Sequence, residues 1–381
     1  MLDQTGRLFR SLRRRYHRGF GFRESGEYIV QLYRGYRSST TLFVQGRVLE
    51  DKGIRVGERD DGWRNFVNAL RRFNSNEVAG AVVELTYLGE RYEVMADGEG
   101  YIELSVPVAT ANTDEPWEQI TARIVELPEG SPADSAKRHA SGKTFTGQVA
   151  DLDHRAEYAV VTDIDDTLLK TDVTSLFKLK ALWYTLSDNA HTRVAFAGAA
   201  DLYRYLAEGT QEGDAHNPVF YLSRSPWNLY DMLEQFLDVR GFPKGPIFLR
   251  DVDLLKEISG SHGHKRATIE RLIEHFPTLR FVLVGDAGEH DADIYHAVAE
   301  RYPERVRAIV IRNVANGGNA HRIKRLFTRR EPERHYYLVK DSAEAAAKLA
   351  SAGLLRPDHV RAIERAARRA GGPGEGATTL A

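Results

Sequence analysis

Two carboxylates stand two positions apart in Val160-Val-Thr-Asp163-Ile-Asp165-Asp-Thr167, where an apolar run stops. If that run is a strand of a parallel sheet, both sit in the turn beyond its carboxyl end, where loops converge and functional groups gather. Two such carboxylates repel, and a divalent cation relieves the repulsion. With no cysteine in the chain, a hard ion such as Mg2+ on oxygen ligands is the natural occupant. The alternative for the pair is a helix cap followed by a turn, both common roles for Asp. A second apolar run, Phe281-Val-Leu-Val-Gly, also ends in acid, at Asp286, with Asp291 five positions on. Asp286 could complete the ion's coordination, and Asp291 could be a further ligand or could hold the loop. In Tyr221-Leu-Ser223-Arg224-Ser225-Pro-Trp a hydroxyl and backbone N–H groups fall between a strand and a helix start, which suits a phosphate. Lys265 opens the next helical run and can neutralise phosphate charge as a point cation, with Lys256 in reserve. Arg224 and Arg312 could meet phosphate or a head group, or serve as surface or packing residues.

The elements that would position these groups alternate between strand and helix after Tyr158, the pattern of a parallel sheet flanked by helices. The sequence predicts strands over 158–162, 218–222, 247–249, 280–284 and 307–311. Helices are predicted over 198–208, 227–240, 265–276, 293–302 and 343–352, before a Gly-rich tail from 371. Upstream, 41–48, 81–87, 91–95, 101–106 and 120–127 are short β-branched and aromatic runs separated by Gly-containing turns, which suggests an antiparallel β-sandwich. A helical insertion is predicted around Trp63, Phe66, Val67 and Leu70, and a loop over 129–143.

A chain of 381 residues is long enough for two or three domains. With 42% hydrophobic and 28% charged residues it has a globular balance. Its 53 Lys and Arg against 54 Asp and Glu leave no general basic field, so no nucleic-acid partner is expected. The absence of cysteine excludes disulfides, zinc–thiolate sites, iron–sulfur clusters and Cys nucleophiles. No apolar run approaches the roughly 18 residues that span a bilayer, and the N-terminus lacks a signal-peptide pattern, so a cytoplasmic protein is expected. Residues 1–40 nevertheless carry nine Arg against three acidic residues. Leu8, Phe9, Leu12 and Tyr16 would share a helix face there, either as an interfacial helix drawn to anionic lipid or as a solvated basic helix. A second basic stretch covers 320–340.

Taken in order, D-x-D-x-T, a Ser after the second strand, a Lys and G-D-x-x-x-x-D resemble the haloacid dehalogenase-like superfamily of phosphotransferases. Asp163-Ile-Asp-Asp-Thr-Leu, Tyr221-Leu-Ser-Arg-Ser-Pro-Trp-Asn-Leu-Tyr, Gly285-Asp-Ala-Gly-Glu-His-Asp and Ile311-Arg-Asn-Val more closely resemble the catalytic domain of the actin-patch-associated phosphatidate phosphatase family. The resemblance covers about residues 155–315. It implies an α/β fold with a doubly wound parallel sheet and a small or absent cap, behind the β-sandwich. The domains expected are a basic, helical N-terminal segment (1–39), the β-sandwich (40–150), the phosphatase domain (151–340) and a C-terminal helix with a flexible tail (341–381). The resemblance also implies Asp163 as nucleophile and Asp165 as general acid and base. Thr167, Ser223 and Lys265 would hold phosphoryl oxygens, and Arg224 is a further candidate. Mg2+ would be held by Asp163, Asp286 and the backbone carbonyl of Asp165, with Asp291 beside them.

Only 60 positions separate Asp163 from Ser223, and 42 separate Ser223 from Lys265, which leaves little room for a large lid. An open site suits a phosphate carried by something bulky. Residues 174–186, with Leu176, Phe177, Leu179, Leu182, Trp183 and Leu186 between lysines, could dip into lipid or face the core. The expected function is a Mg2+-dependent phosphomonoesterase acting on phosphatidate at an anionic membrane surface, peripherally from its inner face. A phosphatase of a phosphoprotein or nucleic-acid end, and a non-catalytic lipid-binding module, are the alternatives.

Overall fold

The computed structural model describes residues 27–51, 78–108, 115–128, 142–152, 156–164, 198–211, 216–250, 262–287, 290–313, 318–328 and 335–371. Outside the described residues lie the helices expected before residue 27 and around Trp63, most of the loop expected over 129–143, residues 174–186 and the tail past 371. So do Asp165, Thr167 and Lys256. Two compact units emerge: Met1–Leu32, Gln45–Leu104 and Gln119–Gly147 form one, and Tyr33–Val44, Ser105–Glu118 and Gln148–Ala381 form the other.

The N-terminal sheet has eight strands: β1 (Glu27–Leu32), β2 (Gly35–Arg37), β3 (Thr41–Asp51), β4 (Val82–Tyr87), β5 (Glu90–Met95), β6 (Tyr101–Pro107), β7 (Trp117–Glu126) and β8 (Phe145–Asp151). Alternation of buried and exposed positions in β4, β6 and β7 marks one face turned to a core. Two features depart from expectation. The end of the 1–39 segment is strand rather than helix, because Tyr28, Ile29 and Val30 favour a pleated surface and β1 finds a full antiparallel partner in β3. The sheet is also mixed rather than purely antiparallel, since β2 runs parallel to β8.

The second sheet is parallel throughout: β9 (Ala159–Asp163), β10 (Val219–Pro226), β11 (Ile247–Arg250), β12 (Phe281–Asp286), β13 (Val306–Arg312) and β14 (His335–Val339). Their order is β11-β10-β9-β12-β13-β14, so the direction of winding reverses between β9 and β12. A parallel sheet covered on both faces needs strands apolar on both sides, and every residue of β9 and of β12 is buried. Among the described residues the helices are α1 (Ala199–Glu208), α2 (Tyr230–Val239), α3 (His262–His275), α4 (Asp291–Arg301), α5 (Gly318–Thr328), α6 (Ser342–Ser351) and α7 (Pro357–Gly371). Ala199, Leu202, Tyr203 and Leu206, at helical spacing, form the buried stripe of α1. Among the described residues no helix is long and apolar enough to cross a membrane.

Tyr36 and Phe43 belong to the core of this second unit. The Tyr36 ring lies 5.1 Å from Phe43, 5.4 Å from Phe276 and 5.7 Å from Phe220, centroid to centroid. Its hydroxyl is 2.7 Å from Nδ1 of His275. Burial, helped by the neighbouring Arg271 charge, pulls the His275 pKa from 6.5 down to about 4. His275 is thus neutral in the folded chain, and its contribution to stability is complete above its unfolded pKa. That contribution is lost as pH falls from about 6.5 through about 4. A His275→Gln variant should therefore lose its melting-temperature deficit relative to wild type across that window, as followed by thermal denaturation.

Candidate active site

The reversal of strand order leaves a crevice beyond the carboxyl ends of β9 and β12, and the acidic residues lie there. Asp163 is the last residue of β9 and Asp286 the last of β12. Register places Thr162 beside Val284 and Asp163 beside Leu222, so β9 and β12 end at one edge of the sheet while β10 runs on to Pro226. Asp163 and Asp286 line one cleft with Gly285, Tyr203 and Arg312. Its remaining walls are Ala199 and Leu202 of α1, Val284 and Val310 of the sheet, and Val339, Asp341, Ser342 and Ala345 around the start of α6.

Lys265, in the first turns of α3, is almost wholly buried, and its Nζ lies 2.8 Å from Oδ2 of Asp163 and 2.8 Å from Oδ1 of Asp291. Burial alone would lower its pKa. The Asp163 and Asp291 charges and their hydrogen bonds outweigh that, so the pKa is raised and the ammonium is kept. The second oxygen of Asp291 accepts a 3.4 Å hydrogen bond from the backbone N–H of Asp286. Asp291 thereby ties the loop after β12 to Lys265, which suits the loop-holding member of its two expected roles.

Gly285 makes this approach feasible. A Cβ there would sit 2.8 Å from Cβ of Asp291 and 2.9 Å from Cε2 of Tyr295, closer than real side chains come. Tyr295, fully buried on α4, donates its hydroxyl to the carbonyl of Val284 at 3.1 Å and fixes the strand end from below. Tyr203 bonds Thr162 through a 2.6 Å hydroxyl contact. Burial first, then the Asp163 and Asp286 charges, push its pKa up to about 12 against the opposing Thr162 bond and Arg312 charge. The phenol therefore stays protonated on the cleft wall.

Ser223 sits one position beyond Leu222, the register partner of Asp163, and is buried. Its Oγ accepts the backbone N–H of Ser225 at 2.9 Å, which stiffens the turn. It is not among the residues lining the cleft. Arg224 is exposed, whereas Arg312 is half-buried and lines the cleft. The signal for Arg312 was positional: it ends β13 opposite Asp286, as Asp286 ends β12. Tyr203 carries no motif, and only the α1 periodicity points its side chain inward. The donors suit a hard cation, being carboxylate oxygens with no sulfur or imidazole among them. Among the described residues no cluster of three potential ligands forms, so a cation here would rely on Asp163 and Asp286 together with carbonyl, water or phosphate oxygens.

Known proteins resemble the segment that carries these residues. Phosphatidate phosphatase APP1 of Saccharomyces cerevisiae is 30% identical over 160 residues, covering 41% of this chain and 26% of the yeast protein. A protein of Schizosaccharomyces pombe described as uncharacterized is 30% identical over 175 residues, covering 45% of this chain and 27% of its own length. The chain thus spans about a quarter of the length of these relatives. A carbohydrate acetylesterase from Xanthomonas citri aligns over 87% of this chain and 71% of its own, at 10% identity and a TM-score of 0.27. Residues 158–313, which contain Asp163, Ser223, Lys265, Asp286, Asp291 and Arg312, match the family described as phosphatidate phosphatase APP1, catalytic domain.

Proposed function

We infer that this chain is a Mg2+-dependent phosphatidate phosphatase, converting phosphatidate to diacylglycerol and inorganic phosphate. The observation that carries the inference is the buried Lys265 held between Asp163 and Asp291 at the point where the strand order reverses, inside the family-matched segment. The parallel sheet is read as a haloacid dehalogenase-like, doubly wound fold with a small or absent cap. Residues 40–150 are read as a β-sandwich accessory domain whose sheet reaches back to Glu27, ahead of a phosphatase domain over 151–340. The protein would work from the cytoplasmic side, peripherally, on an anionic membrane surface.

In this scheme a carboxylate oxygen of Asp163 attacks phosphorus, and the bond to the diacylglycerol oxygen breaks as the Asp163–phosphate bond forms. Asp165, assigned by family resemblance, gives its proton to the departing alkoxide. It then takes one from the water that splits the aspartyl-phosphate and frees inorganic phosphate. Lys265 faces Asp163 with its positive charge and aims it, and Tyr295 with Gly285 lets Asp291 hold Lys265 in place. Arg312, from the cleft wall, would meet phosphoryl oxygens, as would Ser223 and Thr167 by family resemblance. Asp163 and Asp286 would hold Mg2+ with the carbonyl of Asp165, and the ion when bound supplies charge neutralisation between an anionic nucleophile and an anionic ester.

Phosphatidylcholine vesicles containing phosphatidate should release inorganic phosphate in the presence of Mg2+, and EDTA should stop the release. A folded protein that releases none under these conditions overturns the assignment. Equal rates on phosphopeptides or nucleic-acid ends would redirect it to another bulky phosphomonoester.

A further inference from the structure

Helix α7 lies beyond the family-matched segment, and its exposed face has a composition unlike that of a merely solvated helix. Arg361, Arg365, Arg368 and Arg369 fall at spacings of four, seven and eight and are all exposed. None of the four forms an ion pair with another described residue. The opposite side, with His359 and Ile363 buried, packs on α1. The acidic residues of α7 are Asp358, at its start, and Glu364, which is half-buried.

Contacts fix how the two helices run. The His359 ring stacks on Tyr205 at 4.4 Å, and its Nε2 is 3.9 Å from Glu208, both in the last turn of α1. At the other end, Gly198, the left-handed N-cap of α1 (φ 72), has room for a Cβ only 3.2 Å from the carbonyl oxygen of Ile363 and 3.5 Å from Cβ of Ala367. The helices are therefore antiparallel. The C-terminal half of α7, with Arg365, Arg368 and Arg369, lies level with the first turns of α1, whose Ala199 and Leu202 wall the cleft.

We propose that this arginine stripe is a docking surface for an anionic phospholipid bilayer, placed to bring the cleft to lipid head groups. The proposal rests on the phosphatase reading for what the cleft then does, but not for the docking itself. Four guanidiniums on one rigid helix face complement a sheet of phosphate and carboxylate groups, and each basic side chain near such a surface adds to the attraction. Burial of the opposite face holds the stripe at fixed orientation to the cleft.

The test uses the full chain and phosphatidylserine, an anionic lipid whose phosphodiester is no phosphomonoester substrate. Wild-type protein should co-sediment with phosphatidylcholine–phosphatidylserine vesicles, less so as salt rises and not with phosphatidylcholine alone. The combined Arg361→Gln, Arg365→Gln, Arg368→Gln and Arg369→Gln variant should bind those vesicles about tenfold or more weakly. The matching Arg→Lys variant should keep most of the binding, which separates loss of charge from loss of fold. Hydrolysis of a soluble aryl phosphate should be the same in all three. Unchanged vesicle binding by the Gln variant overturns the proposal, as does a Lys variant that binds no better than Gln. Binding of the stripe to RNA with none to vesicles overturns it equally. If vesicle binding falls as expected while wild type releases no phosphate from phosphatidate, the docking surface stands and the phosphatase reading fails.

Discussion

Asp163→Asn should abolish phosphate release from phosphatidate while leaving a protein at least as heat-stable as wild type in EDTA. The amide has the shape of the carboxylate but cannot act as the nucleophile, and removal of a nucleophile typically costs on the order of 10^4-fold or more in rate. The stability half of the expectation comes from charge. Asp163, Asp286 and Asp291 are buried around one crevice, against Lys265 and the half-buried Arg312. Removing one carboxylate relieves that excess, and Lys265 keeps its 2.8 Å partner Asp291. Phosphate assay and a thermal melt on one preparation check both halves. Activity within tenfold of wild type would remove Asp163 from the chemistry, and a large drop in melting temperature would show it to be a structural anchor instead.

Lys265→Met should do the reverse and damage fold and activity together. Methionine fills much of the space but leaves Asp163 and Asp291 buried with no counter-charge, and breaking a buried ion pair from one side typically costs about 3–5 kcal/mol. At about 2–4 °C per kcal/mol for a domain of this size, the melting temperature should fall by roughly 10 °C. The deficit should shrink on acidification, because protonating the stranded carboxylates removes the charge that has lost its partner. Melts from neutral to acidic pH check this. A variant that melts with wild type at neutral pH would mean that water, not Lys265, balances the two carboxylates.

Much of this arrangement was legible because a fully covered parallel sheet writes its strands as uninterrupted apolar runs. Asp163 was placed at the end of β9, and Asp286 at the end of β12, from the point where those runs turn acidic. Elements with weak or distant signals escaped. β14 is only half-buried along most of its length, so His335-Tyr-Tyr-Leu-Val gives no apolar run and sits in a basic stretch. Helix α7 meets α1 through His359, Ile363 and Ala367, too little apolar surface to stand out among its arginines. Tyr36 and Phe43 looked like members of the N-terminal β-rich segment, because their neighbours in sequence are strands. The Tyr36 ring instead packs on Phe220 and Phe276, and that of Phe43 on Phe248, partnerships no local pattern encodes. The pairing of Lys265 with two carboxylates rather than with phosphate alone is likewise long-range, across 26 positions to Asp291 and more to Asp163.

Similarity to the APP1 catalytic domain stops at residue 313, yet Val339, Asp341, Ser342 and Ala345 form part of the cleft. The heritable motif and the smallest piece that could be transplanted whole are therefore different lengths. A fragment cut to residues 158–313 would keep Asp163 and Asp286 and lose a wall of the cleft that they line.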